Sequence, residues 1–252
     1  MRWTHRTSPY GPIWLLMSLL PASLGLGKFI LNFLMFKVFI GSFHIINTLL
    51  VSKILYRTNP KAAVLGTALY ALNPALLLEG VANSHNDLVL ATFILLSIYF
   101  FVVHKNRLSV ASIAIGFLIK YLTIFLIPIF IFKKTKFERL ILLILSIIVI
   151  FTFVYSTFGV KVPFVSNGST QIQFQPWYLF WTLPPAAILP NFFIIVLTLS
   201  LSVGSMARYL PYLYWGDWSQ PNTILFMQLS IVVSLVFGIS IILYNHFSKS
   251  KL

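Results

Sequence analysis

The sequence predicts an all-α, polytopic membrane bundle, and composition, the length of its apolar runs and the placement of its charges each point there. Of 252 residues, 59% are apolar, 16% aromatic and only 9% charged, whereas a soluble domain carries about 25% charged residues. So little polar material cannot coat a water-exposed surface. The apolar runs repeatedly approach the roughly 20 residues that cross a ~30 Å hydrocarbon core. Backbone groups in that core pair within a helix or around a closed barrel. These runs are Leu/Ile/Phe-rich and lack period-two alternation, which selects helices.

The runs fall near 11–27, 29–51, 62–79, 88–103, 108–132, 140–157, 177–189, 191–207 and 222–244, giving eight or nine apolar segments. No internal repeat, low-complexity tail or soluble module interrupts them, so residues 1–252 read as one transmembrane domain. The first run lacks a clear small-residue cleavage site, which argues against a removable signal peptide. With no cysteine, thiol and disulfide chemistry are excluded.

Charge supplies an orientation. The formal balance is +14, from 18 Lys/Arg against four acids, Glu79, Asp87, Glu138 and Asp217. On a soluble chain that excess would suggest nucleic acid, but no basic stripe of a nucleic-acid-binding fold is present, and no such partner is expected. Basic loops facing anionic membrane lipid explain it instead. Lys53, Arg57 and Lys61, then Lys105 and Arg107, then Lys133, Lys134, Lys136 and Arg139, then Lys249 and Lys251 mark one side as cytoplasmic. Residues 80–87 and 209–221 carry no Lys or Arg, and 158–176 carry only Lys161. This assigns them to the outer side of a cytoplasmic (inner) membrane. All six tryptophans gather near that side, either as an interfacial belt or as sugar-stacking platforms.

Segment 108–132 breaks simple alternation, because basic loops flank it at both ends. Lys120 stands at its midpoint, between halves of about 12 residues that each span only ~18 Å as helix. A re-entrant or broken helical hairpin with its tip near Lys120 and Tyr121, pointing outward, satisfies both facts. The short segment 177–189, with Pro184 and Pro185, is expected to be irregular for a similar reason.

Ionisable groups inside a membrane are costly and therefore mark candidate sites. Asp87 and His85 lie in Asn83-Ser84-His85-Asn86-Asp87, where an outer loop begins a helix. They read either as general base, metal ligands or substrate binders, or as part of a helix cap. Two ligand-type side chains leave a divalent metal open. Glu79, across one tight loop, should share their surface, as a reactive or merely snorkelling acid. Lys120 reads as a phosphate binder or as a structural partner for Glu79 or Asp87. Lys37 and His44, seven residues apart on one helix face, read as bundle-facing polar contacts. Arg208 reads as a phosphate or headgroup partner. Asn167-Gly168-Ser169 satisfies a glycosylation pattern that is common by chance. Phosphate-binding glycine loops and zinc spacings are absent.

Asn73-Pro74-Ala75-Leu76-Leu77-Leu78-Glu79, Ser84-His85-Asn86-Asp87 and Ile119-Lys120-Tyr121 with Pro128 together resemble the GT-C glycosyltransferases. More narrowly, they resemble the prokaryotic polyprenol-phosphate-mannose-dependent α-mannosyltransferases. Ser8-Pro9-Tyr10-Gly11-Pro12-Ile13-Trp14 and Gln175-Pro176-Trp177-Tyr178 resemble two further motifs of that group, in the same order. The resemblance implies a polyprenyl-phosphate sugar as donor, a lipid- or glycan-linked acceptor and an inverting transfer. It implies catalytic roles for Asp87 and Glu79, and substrate contacts from His85, Asn86, Lys120, Tyr121, Gln175, Trp177 and Tyr178. Family members usually carry a further N-terminal helix and an acidic first outer loop, whereas no acid precedes Glu79 here. The expectation is therefore a chain truncated at its N-terminus. A transporter or flippase, or a non-catalytic membrane subunit, is the competing class.

Overall fold

The computed structural model describes residues 10–158, 176–207, 209–216 and 221–249. Among them every regular element is helical, and the chain is an all-α membrane protein. The order is α1 (Pro12–Leu24), α2 (Phe29–Thr58), α3 (Ala63–Ala71), a π-helical turn (Leu76–Ala82), α4 (Asp87–Val102) and α5 (Asn106–Phe117). A 3-10 turn (Tyr121–Leu126), α6 (Pro128–Ile131) and α7 (Phe137–Phe158) follow. After a further 3-10 turn (Pro176–Trp181) come α8 (Leu183–Ala187), α9 (Phe192–Met206), α10 (Tyr209–Trp215) and α11 (Pro221–Lys249).

Among the described residues, three helices are long and apolar enough to cross a bilayer: Phe29–Thr58, Phe137–Val154 and Leu229–His246. The other apolar helices are shorter or broken. The run read as one segment, 62–79, is in fact bent by 55° between α3 and the π-turn. Asn73-Pro74 is the cause, since proline disfavours a helical residue before it and offers no N–H. Asn73 then restarts the chain: its Oδ1 accepts from the N–H groups of Ala75 and Leu76, at 3.0 and 3.3 Å. Its Nδ2 donates to Ser202 Oγ of α9 at 2.9 Å. This one buried side chain therefore caps a helical turn and fastens it to a distant helix.

At the centre stands α4, where Leu88, Val89, Leu90, Ala91, Ile94, Leu95 and Ile98 are buried. A helix apolar on all sides is one surrounded by others. On one side α2 supplies a polar ladder. Lys37 Nζ donates to Ala82 O, His44 Nε2 meets Ala71 O at 3.1 Å, and Asn47 Nδ2 donates to Leu88 O at 2.9 Å. Ala71 and Ala82 end α3 and the π-turn, where carbonyls lack partners within the helix. The bundle-facing role expected for Lys37 and His44 is thus realised as closure of two helix ends. On the other side Ser109 Oγ of α5 donates to Ser97 O at 2.7 Å, a close approach between small residues.

The expected hairpin is present. α5 stops at Phe117, and the chain turns back through the 3-10 segment after Lys120. Thr123 Oγ1 donates to Ile113 O at 2.8 Å across the hairpin. A Cβ at Gly116 would collide with the Thr123 methyl. Phe130 meets Phe101 edge-on at 6.3 Å, so the returning arm reaches the C-terminal end of α4. Arg57 lies over the Tyr99 ring at 5.2 Å, at that same end. Asp87 lies twelve residues away, about 18 Å along the helix. The basic loops and the candidate site therefore occupy opposite ends of α4. Segment 177–189 is irregular as expected, a 3-10 turn followed by the buried α8.

Asn73→Ala should lower stability by about 2–3 kcal/mol, because it orphans buried N–H groups and the Ser202 hydroxyl. Thermal unfolding of the detergent-purified protein checks this. Asn73→Ser, which keeps a neutral capping oxygen, should recover part of the loss.

Candidate active site

The site lies where α4 begins, and four stretches of chain build it. The hairpin break comes first. Leu118 and Ile119 end α5 with carbonyls that no following helical residue satisfies. Gly11 N donates to Ile119 O at 3.1 Å and Ile13 N donates to Leu118 O at 3.2 Å. A Cβ on Gly11 would run into the Leu118 carbonyl oxygen, so glycine is required for this approach. The result is an extended Lys120 (φ −158°, ψ 132°) held at the tip.

From that position Lys120 Nζ reaches Asp87 Oδ1 at 2.6 Å. The same oxygen accepts from Trp181 Nε1 at 2.7 Å. Asp87 is 1% exposed, a setting in which an unpaired carboxylate would be costly. Trp181 also lies under the ammonium, 5.3 Å from its ring centroid, and Tyr10 flanks it at 5.9 Å. Burial, and secondarily the charge of Asp87, raise the Tyr10 phenol above its ordinary range, so it stays a neutral hydrogen-bonding group. Asn86 occupies the cap position of α4 but makes no side-chain capping bond. Asp87 is therefore engaged in a specific ion pair, beyond any helix-terminal role.

The second acid is organised by the π-turn. Its wide i to i+5 bonds, Asn83 N to Leu78 O at 3.1 Å and His85 N to Gly80 O at 2.9 Å, fold residues 79–85 into one tight coil. Such turns recur at functional positions. Glu79, also 1% exposed, accepts from Asn83 Nδ2 at 2.9 Å and from the Tyr209 hydroxyl. His85 Nε2 lies 3.6 Å from Glu79 Oε2. The imidazole thus turns to Glu79 rather than to Asp87, its neighbour in sequence, because the turn at Ser84 (φ 57°) reverses the chain between them.

An aromatic wall completes the site. Trp177 stacks on His85 with centroids 4.4 Å apart, and Tyr178 stacks on Trp181 at 4.7 Å. Phe180 meets His85 edge-on at 6.3 Å. Two of the six tryptophans, Trp177 and Trp181, are thereby coupled to the acidic groups.

Of the residues expected to act here, Glu79, His85, Asp87, Lys120, Trp177 and Tyr178 converge. Asn86 is buried beside them, with its amide nitrogen lacking an acceptor. Tyr121 does not join Asp87; it is 37% exposed and packs edge-on against Phe117 at 5.0 Å. A 3-10 turn that starts at Tyr121 separates its direction from that of Lys120. Gln175, Arg208 and the 167–169 motif lie outside the described residues. Trp181, Tyr10 and Tyr209 carry no individual signal in the sequence, and Asn83, a candidate cap for α4, instead donates to Glu79. The dense Pro176–Trp181 aromatic run and the Tyr10-Gly11 motif were the available signals. Among the described residues no three His, Asp or Glu side chains are grouped closely enough to hold a metal ion; Glu79 with His85 offers two metal-ligand groups.

An acid–lysine pair, an acid–histidine pair and stacked aromatic rings at one end of a membrane helix bundle fit a membrane glycosyltransferase, and the family assignment agrees. Residues 1–136, over half of the chain, match the family described as Alpha-(1->6)-mannopyranosyltransferase, N-terminal domain, and the chain belongs to that family. No curated protein and no solved structure matches it. The matched segment contains Glu79, His85, Asp87 and Lys120, while the aromatic wall follows it in sequence.

The Asp87–Lys120 pair should show strong coupling. Asp87→Asn or Lys120→Met alone should cost about 3 kcal/mol, the lower end for a broken buried pair, since Lys120 remains partly exposed. The double variant should cost less than the two singles combined. A double-mutant cycle in thermal or denaturant unfolding measures it.

Proposed function

We propose that the protein transfers mannose from a polyprenyl-phosphate donor to a glycan or glycolipid acceptor, within a single GT-C-type membrane domain. Its site faces the outer side of the cytoplasmic membrane. The observation that carries this reading is the arrangement of Lys120. A cation is fixed at a re-entrant tip by Asp87 and flanked by aromatic rings, beside a second acid paired with histidine.

The chemistry is a single displacement. The acceptor hydroxyl oxygen forms a bond to the anomeric carbon as the bond from that carbon to the donor phosphate oxygen breaks. The electron pair leaves with the phosphate, and the hydroxyl proton passes to a base. Inversion at this carbon yields an α-linkage from a β-linked donor. Lys120 offers N–H donors and positive charge to the departing phosphate, and Asp87 holds it in place. Glu79, with His85 beside it, takes the proton. Trp177 and Tyr178 present ring faces suited to the apolar face of a pyranose. The basic loops at the far end of α4 support the outward orientation, by the positive-inside rule.

Membranes carrying the full chain should convert radiolabelled polyprenyl-phosphate mannose and an acceptor glycolipid into labelled glycolipid. Glu79→Gln should reduce turnover by about 100-fold or more, with the protein still folded by thermal shift. If a family member assayed in parallel transfers mannose while this chain transfers no hexose from any polyprenyl-phosphate donor, the proposal fails.

A further inference from the structure

Two side chains beyond the family-matched segment reach back to residues 73–79. Ser202 Oγ of α9 accepts from Asn73 Nδ2 at 2.9 Å, and the Tyr209 hydroxyl of α10 donates to Glu79 Oε1. The end of α9 and the start of α10 are thus fastened to the π-turn segment at two points. α10 is short, and its other described side chains face outward: Leu210, Tyr212, Leu213, Tyr214 and Trp215 are all exposed. Tyr209 is partly buried. A tyrosine at a membrane surface ordinarily sits with its hydroxyl among water and headgroups. This one turns instead to a carboxylate that is 1% exposed.

The partners of Glu79 differ in what they can hold still. Asn83 Nδ2, 2.9 Å from Oε2, and His85 Nε2, 3.6 Å from the same oxygen, belong to the same tight coil as the acid. They follow Glu79 wherever that coil moves. Tyr209 belongs to another helix and ties the acid to the rest of the bundle. It also occupies the opposite oxygen, which leaves the Oε2 edge on the side of His85. General-base work depends on such placement, since a displacement of about 1 Å can cost on the order of 100-fold in rate.

We propose that Tyr209 is a positioning residue for Glu79: its hydroxyl holds Oε1 and leaves the Oε2 edge to receive the acceptor's proton. The inference rests on the transferase reading, with Glu79 as the base. It gives the C-terminal part of the chain a share in the site, because the family-matched residues 1–136 contain the acid but not this anchor.

In the mannose-transfer assay on the full chain, Tyr209→Phe should lower kcat about tenfold, as expected for loss of a hydrogen bond to a charged group, with KM for donor and acceptor unchanged. Para-aminophenylalanine in place of Tyr209 returns a donor to the same position and should recover turnover. In a Glu79→Gln background, Tyr209→Phe should cost nothing further, because both changes act on one group. Tyr214→Phe, on the exposed side of the same helix, should leave kcat unchanged. A second readout needs no turnover. Glu79 and Glu138 are the two glutamates of the chain, so isotope-labelled glutamate with Glu79→Gln as the blank isolates the Glu79 carboxyl band in infrared difference spectra. Tyr209→Phe should shift that band, and Tyr214→Phe should not.

Equal kcat in wild type and Tyr209→Phe overturns the proposal. So does a loss that persists undiminished in the Glu79→Gln background, or an equal loss in Tyr214→Phe, which would mark anchoring of α10 at the membrane surface. An inactive wild type removes the transferase reading and the positioning role with it, while a shifted band would still report the hydrogen bond. An active chain indifferent to Tyr209→Phe removes the positioning role alone.

Discussion

A buried carboxylate in a membrane bundle must be met by charge, and here the demand of Asp87 organises the surrounding chain. Its partner Lys120 comes from a segment that could have been an unbroken helix. For the ammonium to arrive, that helix must stop, turn and release its last carbonyls. Gly11 and Ile13 take those carbonyls with their own N–H groups, which draws the first stretch of chain against the hairpin. Trp181 supplies the second donor to Asp87 and so pulls the Pro176–Trp181 turn to the same end. One ion pair thus gathers three segments that are far apart in sequence.

The same logic governs backbone groups. Water is scarce within the bundle, so each bend needs side chains to close the carbonyls and N–H groups it exposes. Lys37 and His44 close the ends of the π-turn and α3, and Asn73 starts the π-turn. These are structural tasks, yet they set the position of Glu79, which sits in the middle of the segment they pin. Side chains that stabilise the bends are therefore also the ones that present the acids, and this end of the bundle combines irregular backbone with concentrated chemistry.

The aromatic residues show how one composition serves two ends. Phe29, Phe33 and many side chains of α1, α7 and α11 remain exposed, as a lipid-facing surface requires. Trp177, Tyr178, Phe180 and Trp181 face inward onto His85, Asp87 and Lys120 instead. In a water-soluble protein an exposed apolar residue would signal a partner surface; in this chain it signals the bilayer. The informative aromatic residues are those that turn away from it.

Much of the architecture was legible in the sequence. Apolar length and the scarcity of charge determined a helical membrane protein. The position of Lys120 within 108–132 located the break, and the adjacent prolines marked the irregular turn near 184. These signals are local: each depends on how a short stretch partitions between lipid and water, or on whether its backbone can remain helical. The bend at Asn73-Pro74 has such a local signal too, in a proline that offers no N–H to a helix interior. Partner choice was decided only by the tertiary structure. Nothing in the spacing of His85 and Asp87 says that the imidazole turns to Glu79, that the carboxylate takes Lys120 and Trp181, or that Tyr121 packs on Phe117. Those pairings depend on how distant segments approach once their apolar faces are packed. In a low-dielectric interior, each buried polar group settles on whichever partner that packing brings within reach.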